Sequence, residues 1–156
     1  KQDRSKAQLL KRQKISWQKE VTQDVFNRMR VLEELLWYQE RNLEPECISC
    51  GRRNMDWCCG HFKTRGGYPE LALDRVNTSL QCNYHCNKQL SGNINGNKHS
   101  HGYIEGIKLR FGDKEGLERL DYLEKHHELL NWTWQEYESF RAECNARIRE
   151  LEKLLA

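Results

Sequence analysis

Cys47-Ile48-Ser49-Cys50-Gly51 is a pair of thiols two residues apart closed by a glycine, and Cys82-Asn83-Tyr84-His85-Cys86 is a second pair, with thirty-one residues between Cys50 and Cys82. A metal such as zinc needs both thiolates of a pair on one side at about 2.3 Å, and a tight turn supplies that. Gly51 permits the positive φ that such turns require. Cys47, Cys50, Cys82 and Cys86 are therefore the candidate ligands of a structural Zn²⁺. His85, at the two-residue spacing from Cys82, is an alternative fourth ligand to Cys86. Cys58, Cys59 and Cys144 read as small buried hydrophobes.

The surrounding composition supports a metal-stapled unit. Residues 46–102 concentrate Cys, Gly, Asn and His, and their apolar runs are as short as Leu71-Ala72-Leu73. Such a segment buries too little apolar surface to fold alone. It reads as a knuckle at 47–51, a strand near 57–63, a loop through Gly66-Gly67, a strand near 78–82, a helix over 83–90 and an Asn/Gly loop. Together the two pairs resemble a treble-clef zinc site. The seven cysteines are odd in number and come without a signal-peptide pattern, which excludes a secreted disulfide framework and fits a reducing, intracellular compartment. Only 37% of the 156 residues are hydrophobic and 31% are charged. No apolar run approaches the roughly 20 residues of a membrane span. The chain begins at Lys1 rather than Met, which points to a missing N-terminal piece.

The flanks read as helices. Residues 5–41 lack Pro and Gly, and Trp17, Val21, Val25, Met29, Leu32 and Leu36 recur at steps of three and four, so one long helix is expected, ended before Pro45. Two short helices follow over 103–111 and 114–128. Thr133 with Glu136 is a capping-box signature, and Tyr137, Phe140, Cys144, Ile148, Leu151 and Leu155 form a near-heptad stripe that packs on the 17–36 helix or on a second copy in a homodimer. The expected fold is mainly α with a small α+β zinc-stapled treble-clef/ββα-metal core and long N- and C-terminal helices. Its regions are a basic arm over 1–42, the core over 43–102 and a helical region over 103–156. Residues 1–30 carry nine basic against three acidic residues and residues 41–111 carry ten against six, while residues 112–156 reverse to seven against eleven. A basic front suggests a polyanion partner, and a solvated helix surface is the alternative.

Trp57-Cys58-Cys59-Gly60-His61-Phe62 lies between the cysteine pairs, Asn77 follows sixteen residues after His61, and Asn87 comes directly after Cys86. A His ending a strand, an Asn before the next strand and an Asn opening the helix is the HNH arrangement of His-Me finger nucleases. On that reading His61 is the general base that activates water, Asn77 orients it or holds the loop, and Asn87 coordinates a catalytic Mg²⁺ or Mn²⁺. Cys47-Ile-Ser-Cys-Gly, Gly60-His61-Phe62, Gln81-Cys82 and Cys86-Asn87 followed by Ser91-Gly92-Asn93 resemble the phage NinG (Rap) recombination endonucleases over about residues 40–155. The resemblance implies metal-dependent cutting of branched DNA, including Holliday junctions and D-loops, by a phage- or prophage-encoded protein. It also departs from the pattern. Gly60 stands where many HNH nucleases carry Asp, and Cys58 stands where the NinG pattern has Asp, so the second protein ligand of the catalytic metal is open. Arg52, Arg53, Lys63, Arg65, Arg75 and Lys88 are the candidate DNA contacts, positioning phosphates rather than reading bases. The alternative function is a non-catalytic zinc-dependent nucleic-acid-binding module.

Overall fold

The computed structural model describes residues 2–156, so Lys1 of the basic arm lies outside the described residues. Where one helix was expected over 5–41 there are two, α1 (Gln2–Arg12) and α2 (Ile15–Glu40). The break has a tertiary cause. Gln18 Nε2 donates to the Arg12 carbonyl at 2.7 Å, and the Arg12 guanidinium reaches Glu138 at 2.8 and 3.0 Å, while Lys14 turns extended with ψ 115°. From Asp3 onward α1 is exposed, as its sparse apolar content implied.

The last helix, α5 (Trp134–Leu155), begins as read. The Thr133 hydroxyl accepts from the Glu136 amide at 3.2 Å, and the Glu136 carboxylate accepts from the Thr133 amide at 2.7 Å. Its Cys144, Ile148 and Leu151 bury against Phe26, Met29 and Leu36 of α2, so the stripe is covered within the chain.

The small sheet lies beside this helical pair. β1 (Trp57–His61) and β2 (Thr78–Cys82) run antiparallel, with Trp57 opposite Cys82 and His61 opposite Thr78. β1 stops at His61 rather than 63 because the Lys63 amide is taken by the Asn77 side chain at 2.7 Å. Cys82 then leads into a π-helical turn, Asn83–Gln89, in place of an ordinary helix over 83–90. α3 (Tyr103–Phe111) and α4 (Asp113–Glu124) are split at Gly112, and α4 ends four residues before the expected 128, where Lys125 turns extended.

A buried ion network ties α2 to the sheet and to α3. Arg30 donates to the Thr78 hydroxyl at 2.8 Å and to the Thr78 carbonyl at 2.9 Å. Glu34, 5% exposed, accepts from the Leu80 amide at 2.9 Å and from both terminal nitrogens of Arg110 at 2.6 Å. α3 can reach the knuckle only because residue 106 is glycine, since a Cβ there would land on the Ile48 carbonyl. Among the described residues, no helix is long and apolar enough to cross a membrane.

Candidate metal centre and active site

The knuckle is set by local hydrogen bonds. The Cys47 amide donates to the Arg52 carbonyl and the Gly51 amide to the Cys47 carbonyl, each at 2.9 Å, with Gly51 at φ +72°. The sulfurs of Cys47, Cys50, Cys82 and Cys86 all lie within 4.8 Å of one another, and Cys50 to Cys82 is 3.9 Å. A tetrahedral zinc with bonds of about 2.3 Å places its sulfurs about 3.8 Å apart, which the Cys50–Cys82 spacing matches and toward which the wider pairs would close. The Ser49 and Cys82 amides donate to the Cys47 sulfur at 3.4 and 3.3 Å, the Cys86 amide to the Cys82 sulfur at 3.3 Å, and Asn93 Nδ2 to the Cys86 sulfur at 3.5 Å. Amide donors of this kind orient thiolate ligands. Burial pushes the Cys47 thiol up to about 12 and raises Cys86 as well. His85 sits apart, with its Nδ1 3.4 Å from Gln89 Oε1, so the fourth donor is Cys86.

His61, at the end of β1, has Nε2 2.9 Å from the Ala72 carbonyl. A carbonyl only accepts, so Nε2 carries the proton and Nδ1 keeps a lone pair. Gln23 of α2 braces the same carbonyl. Its Nε2 donates to Ala72 O at 3.0 Å and to Asn27 Oδ1 at 2.8 Å. Burial holds the imidazole below its ordinary value, and the Arg65 guanidinium adds to that, against the opposing pull of the Ala72 carbonyl. The ring is therefore neutral at neutral pH and able to take a proton.

Asn77 is fully buried and does not reach His61. It donates to the Lys63 and Leu71 carbonyls at 3.0 Å and accepts from the Lys63 amide at 2.7 Å. Of its two expected roles it fills the second, holding the loop that presents Ala72, and is a positioning residue. Asn87 and His61 line one open cavity of about 330 Å³. The Asn87 amide nitrogen faces Asn83 Oδ1 at 3.4 Å, which leaves its oxygen to accept. Cys58 and Cys59 are only partly buried and line the same cavity, unlike Cys144 in the helical seam. Among the described residues no carboxylate lines it. Position 60 could not supply one, because a Cβ there would lie 2.6 Å from Gln81 Oε1 and 2.7 Å from Gln81 Cβ.

A family model described as Bacteriophage Lambda NinG protein matches residues 1–154. The chain belongs to the NinG family. Protein ninG of Salmonella phage P22 and that of Escherichia phage lambda are each 27% identical to it over 114 residues, which is 72% of this chain and 51% and 50% of theirs. Protein ninG of Enterobacteria phage H19B is 28% identical over 114 residues. The chain spans about half the length of the curated relatives it matches. No solved structure matches it.

In this NinG-family chain the expected basic contacts separate into different settings. Arg65 lines the His61 cavity, and α2 adds Asn27 and Arg28, which sequence reasoning missed, with Arg28 paired to Glu152 of α5 at 2.6 Å. Arg28 stands on a polar stretch of a long helix, and nothing local ties it to a histidine thirty-three residues later. Arg52 and Lys88 are exposed, and Arg53 pairs with Glu46 at 2.7 Å. Lys63 is held by Glu124 at 2.7 Å. Arg75 is not beside the knuckle pocket but pairs with Glu33 at 2.9 Å on another face of α2.

Proposed function

We propose that this chain is a zinc-stapled, Mg²⁺- or Mn²⁺-dependent endonuclease of the HNH/His-Me type that hydrolyses phosphodiester bonds in branched DNA, such as Holliday junctions and D-loops, during phage recombination. The observation that carries the reading is His61. Its ring has Nε2 2.9 Å from the Ala72 carbonyl, in a cavity shared with Asn87, Arg28 and Arg65.

Arg65, joined by Arg28 when it exchanges Glu152 for substrate, holds the scissile phosphate and offsets charge that grows on its oxygens. His61 Nδ1 takes the proton of the attacking water, and the Ala72 carbonyl, braced by Gln23 and the Asn77-held loop, steadies the resulting imidazolium. The Asn87 amide oxygen would hold a divalent cation, which would supply charge stabilisation at the phosphate and the leaving 3′ oxygen. With no carboxylate in the lining, such a cation would take its other ligands from water and the substrate phosphate. Arg52, Arg53 and Lys88 around the knuckle and the basic α1 arm position flanking backbone by phosphate contacts, which selects shape rather than sequence. Two copies acting together would pair cuts across a junction.

A cavity without a carboxylate favours one other reading, a zinc-dependent module that binds nucleic acid without cutting it. A labelled four-way junction beside linear duplex separates the two. Mg²⁺- or Mn²⁺-dependent cutting of the junction, lost in His61→Ala with binding retained, is the expected result, and binding without cutting in every metal leaves only the binding module. The acid limb of the pH–rate profile should fall below the ordinary histidine value of 6.5, because burial disfavours the protonated ring that cannot act as base. A midpoint above 6.5 would remove His61 from the role.

A further inference from the structure

α2 turns Asn27, Arg28 and Val31 to the His61 cavity and a different face, including Arg30, Glu33, Glu34, Trp37 and Arg41, to a second cleft of about 680 Å³ between α2, α3, α4 and α5. Six arginines line this cleft against four glutamates. At its floor, Glu34 takes Arg110 at 2.6 Å and Arg30 at 3.4 Å. Glu33 takes Arg30 at 3.2 Å, Arg75 at 2.9 Å and Arg147 at 3.4 Å, with Arg147 also reaching the exposed Glu150 at 2.9 Å. Two lining carboxylates thus serve four guanidinium groups, and the floor stays positive.

The wall is a ladder in which guanidinium groups and rings alternate. Arg41 lies 4.1 Å from the Trp37 ring, Arg110 lies 4.2 Å from Trp37 and 4.8 Å from Phe111, and Arg119 lies 3.8 Å from Phe111. Arg110 spends both terminal nitrogens on Glu34, whereas Arg41, with one nitrogen on the Trp37 carbonyl at 2.9 Å, and Arg119, with Nε on Glu115 at 3.3 Å, keep other N–H groups that match phosphate oxygens. Their rotamers are also fixed beforehand, so less ordering is needed on binding. Arg41 is in no ion pair among the described residues, and Arg110 Nε is buried without an acceptor. With Arg119 paired to Glu115 at 3.3 Å, the six lining arginines still outnumber the four lining glutamates, so the cleft carries net positive charge.

We propose that the cleft binds the phosphodiester backbone of a second nucleic-acid strand, so that one chain grips a branched substrate twice, at His61 on one face of α2 and along Arg41 and Arg119 at another, with Arg110 fixed on Glu34 behind them. This rests on the branched-DNA reading and adds where the second arm lies. Fluorescence-anisotropy titrations of a four-way junction and of one isolated short duplex arm, without divalent metal so that nothing is cut, test it by a route separate from cleavage. Arg41→Ala/Arg119→Ala should lower the slope of log affinity against log salt on the junction by about 1.4–1.8, two phosphates at about 0.7–0.9 each, and much less on the single arm. Arg41→Lys/Arg119→Lys should recover most of the slope. Arg149→Ala/Lys153→Ala, an equal loss of charge on the exposed face of α5, should leave it in place. An unchanged slope in the cleft variant, or an equal drop in the α5 variant, overturns the second grip while leaving the nuclease reading standing. A protein that cuts nothing but shows the cleft-specific slope change keeps the second grip and loses the nuclease. No binding of either DNA by the unaltered protein sinks both.

Discussion

The helical seam and the cysteine knuckle reach order by different physical means. In the seam, Phe26, Met29 and Leu36 of α2 close on Cys144, Ile148 and Leu151 of α5, and each side chain adds its share of buried apolar area. The knuckle gathers Cys47, Cys82 and Cys86 with Cys50, Met55 and Trp57, beside the buried polar side chains Ser49 and Gln81, which hydrogen-bond each other at 2.8 Å. Apolar burial is divisible, whereas a four-sulfur site is whole or lost. The difference teaches that the candidate chemistry sits beside four clustered cysteines that could hold a metal ion, while the seam serves as the frame that α2 extends across it.

Chelation is the strongest way to break that contrast. Structural zinc sites contribute on the order of 10 kcal/mol. Removing the metal should expose the knuckle thiols to titration and abolish the His61 cavity, while most of the α2/α5 helical signal in far-ultraviolet circular dichroism survives. Loss of that signal in the same single step would show the two regions to be one cooperative unit. Glu34→Gln strikes the joint between them. Arg30 and Arg110 would remain buried without their shared counter-charge, at a cost of about 3–5 kcal/mol read from urea unfolding. The sign with pH follows from the same group. The arginines outweigh burial and hold the Glu34 carboxyl below its ordinary 4.5, so its stabilisation is present above about that pH and is lost as pH falls through the lowered value. Leu151→Ala confines damage to the seam. It should cost about 2–5 kcal/mol with zinc content unchanged by metal analysis. Thr133→Ala is the mildest, about 1 kcal/mol from one lost cap, seen as a small fall in thermal midpoint.

Signals that act within a few residues were legible. The capping box at Thr133 and Glu136, the strand over 78–82, the C-x2-C knuckle and the stripe ending at Leu155 each depend on near neighbours, and each stands where the sequence placed it. What escaped depends on partners far along the chain. The break at Gln13–Lys14 has no proline or glycine to mark it, because Glu138 and the Gln18 side chain draw Arg12 aside. Gln23, Asn27 and Arg28 reach the His61 site only because α2 lies across the sheet. The Glu34–Arg110 pair spans seventy-six positions that no local pattern connects. Asn77 was placed in the right loop but with its role left between two uses, since only coordinates tell whether a side chain reaches a ring or a carbonyl.

The contact between Gly60 and Gln81 also constrains the routes by which this sequence can change. A carboxylate cannot be installed at position 60 in one step, because the new Cβ meets Gln81. Shortening Gln81 first removes the donor that holds the Ser49 hydroxyl at 2.8 Å and the Gly92 carbonyl at 2.7 Å. Any path, natural or engineered, from this active-site type to one with Asp at position 60 must therefore cross an intermediate weakened behind its own knuckle. The contact couples the two positions, so the order of mutation, not only the final sequence, decides whether that path is open.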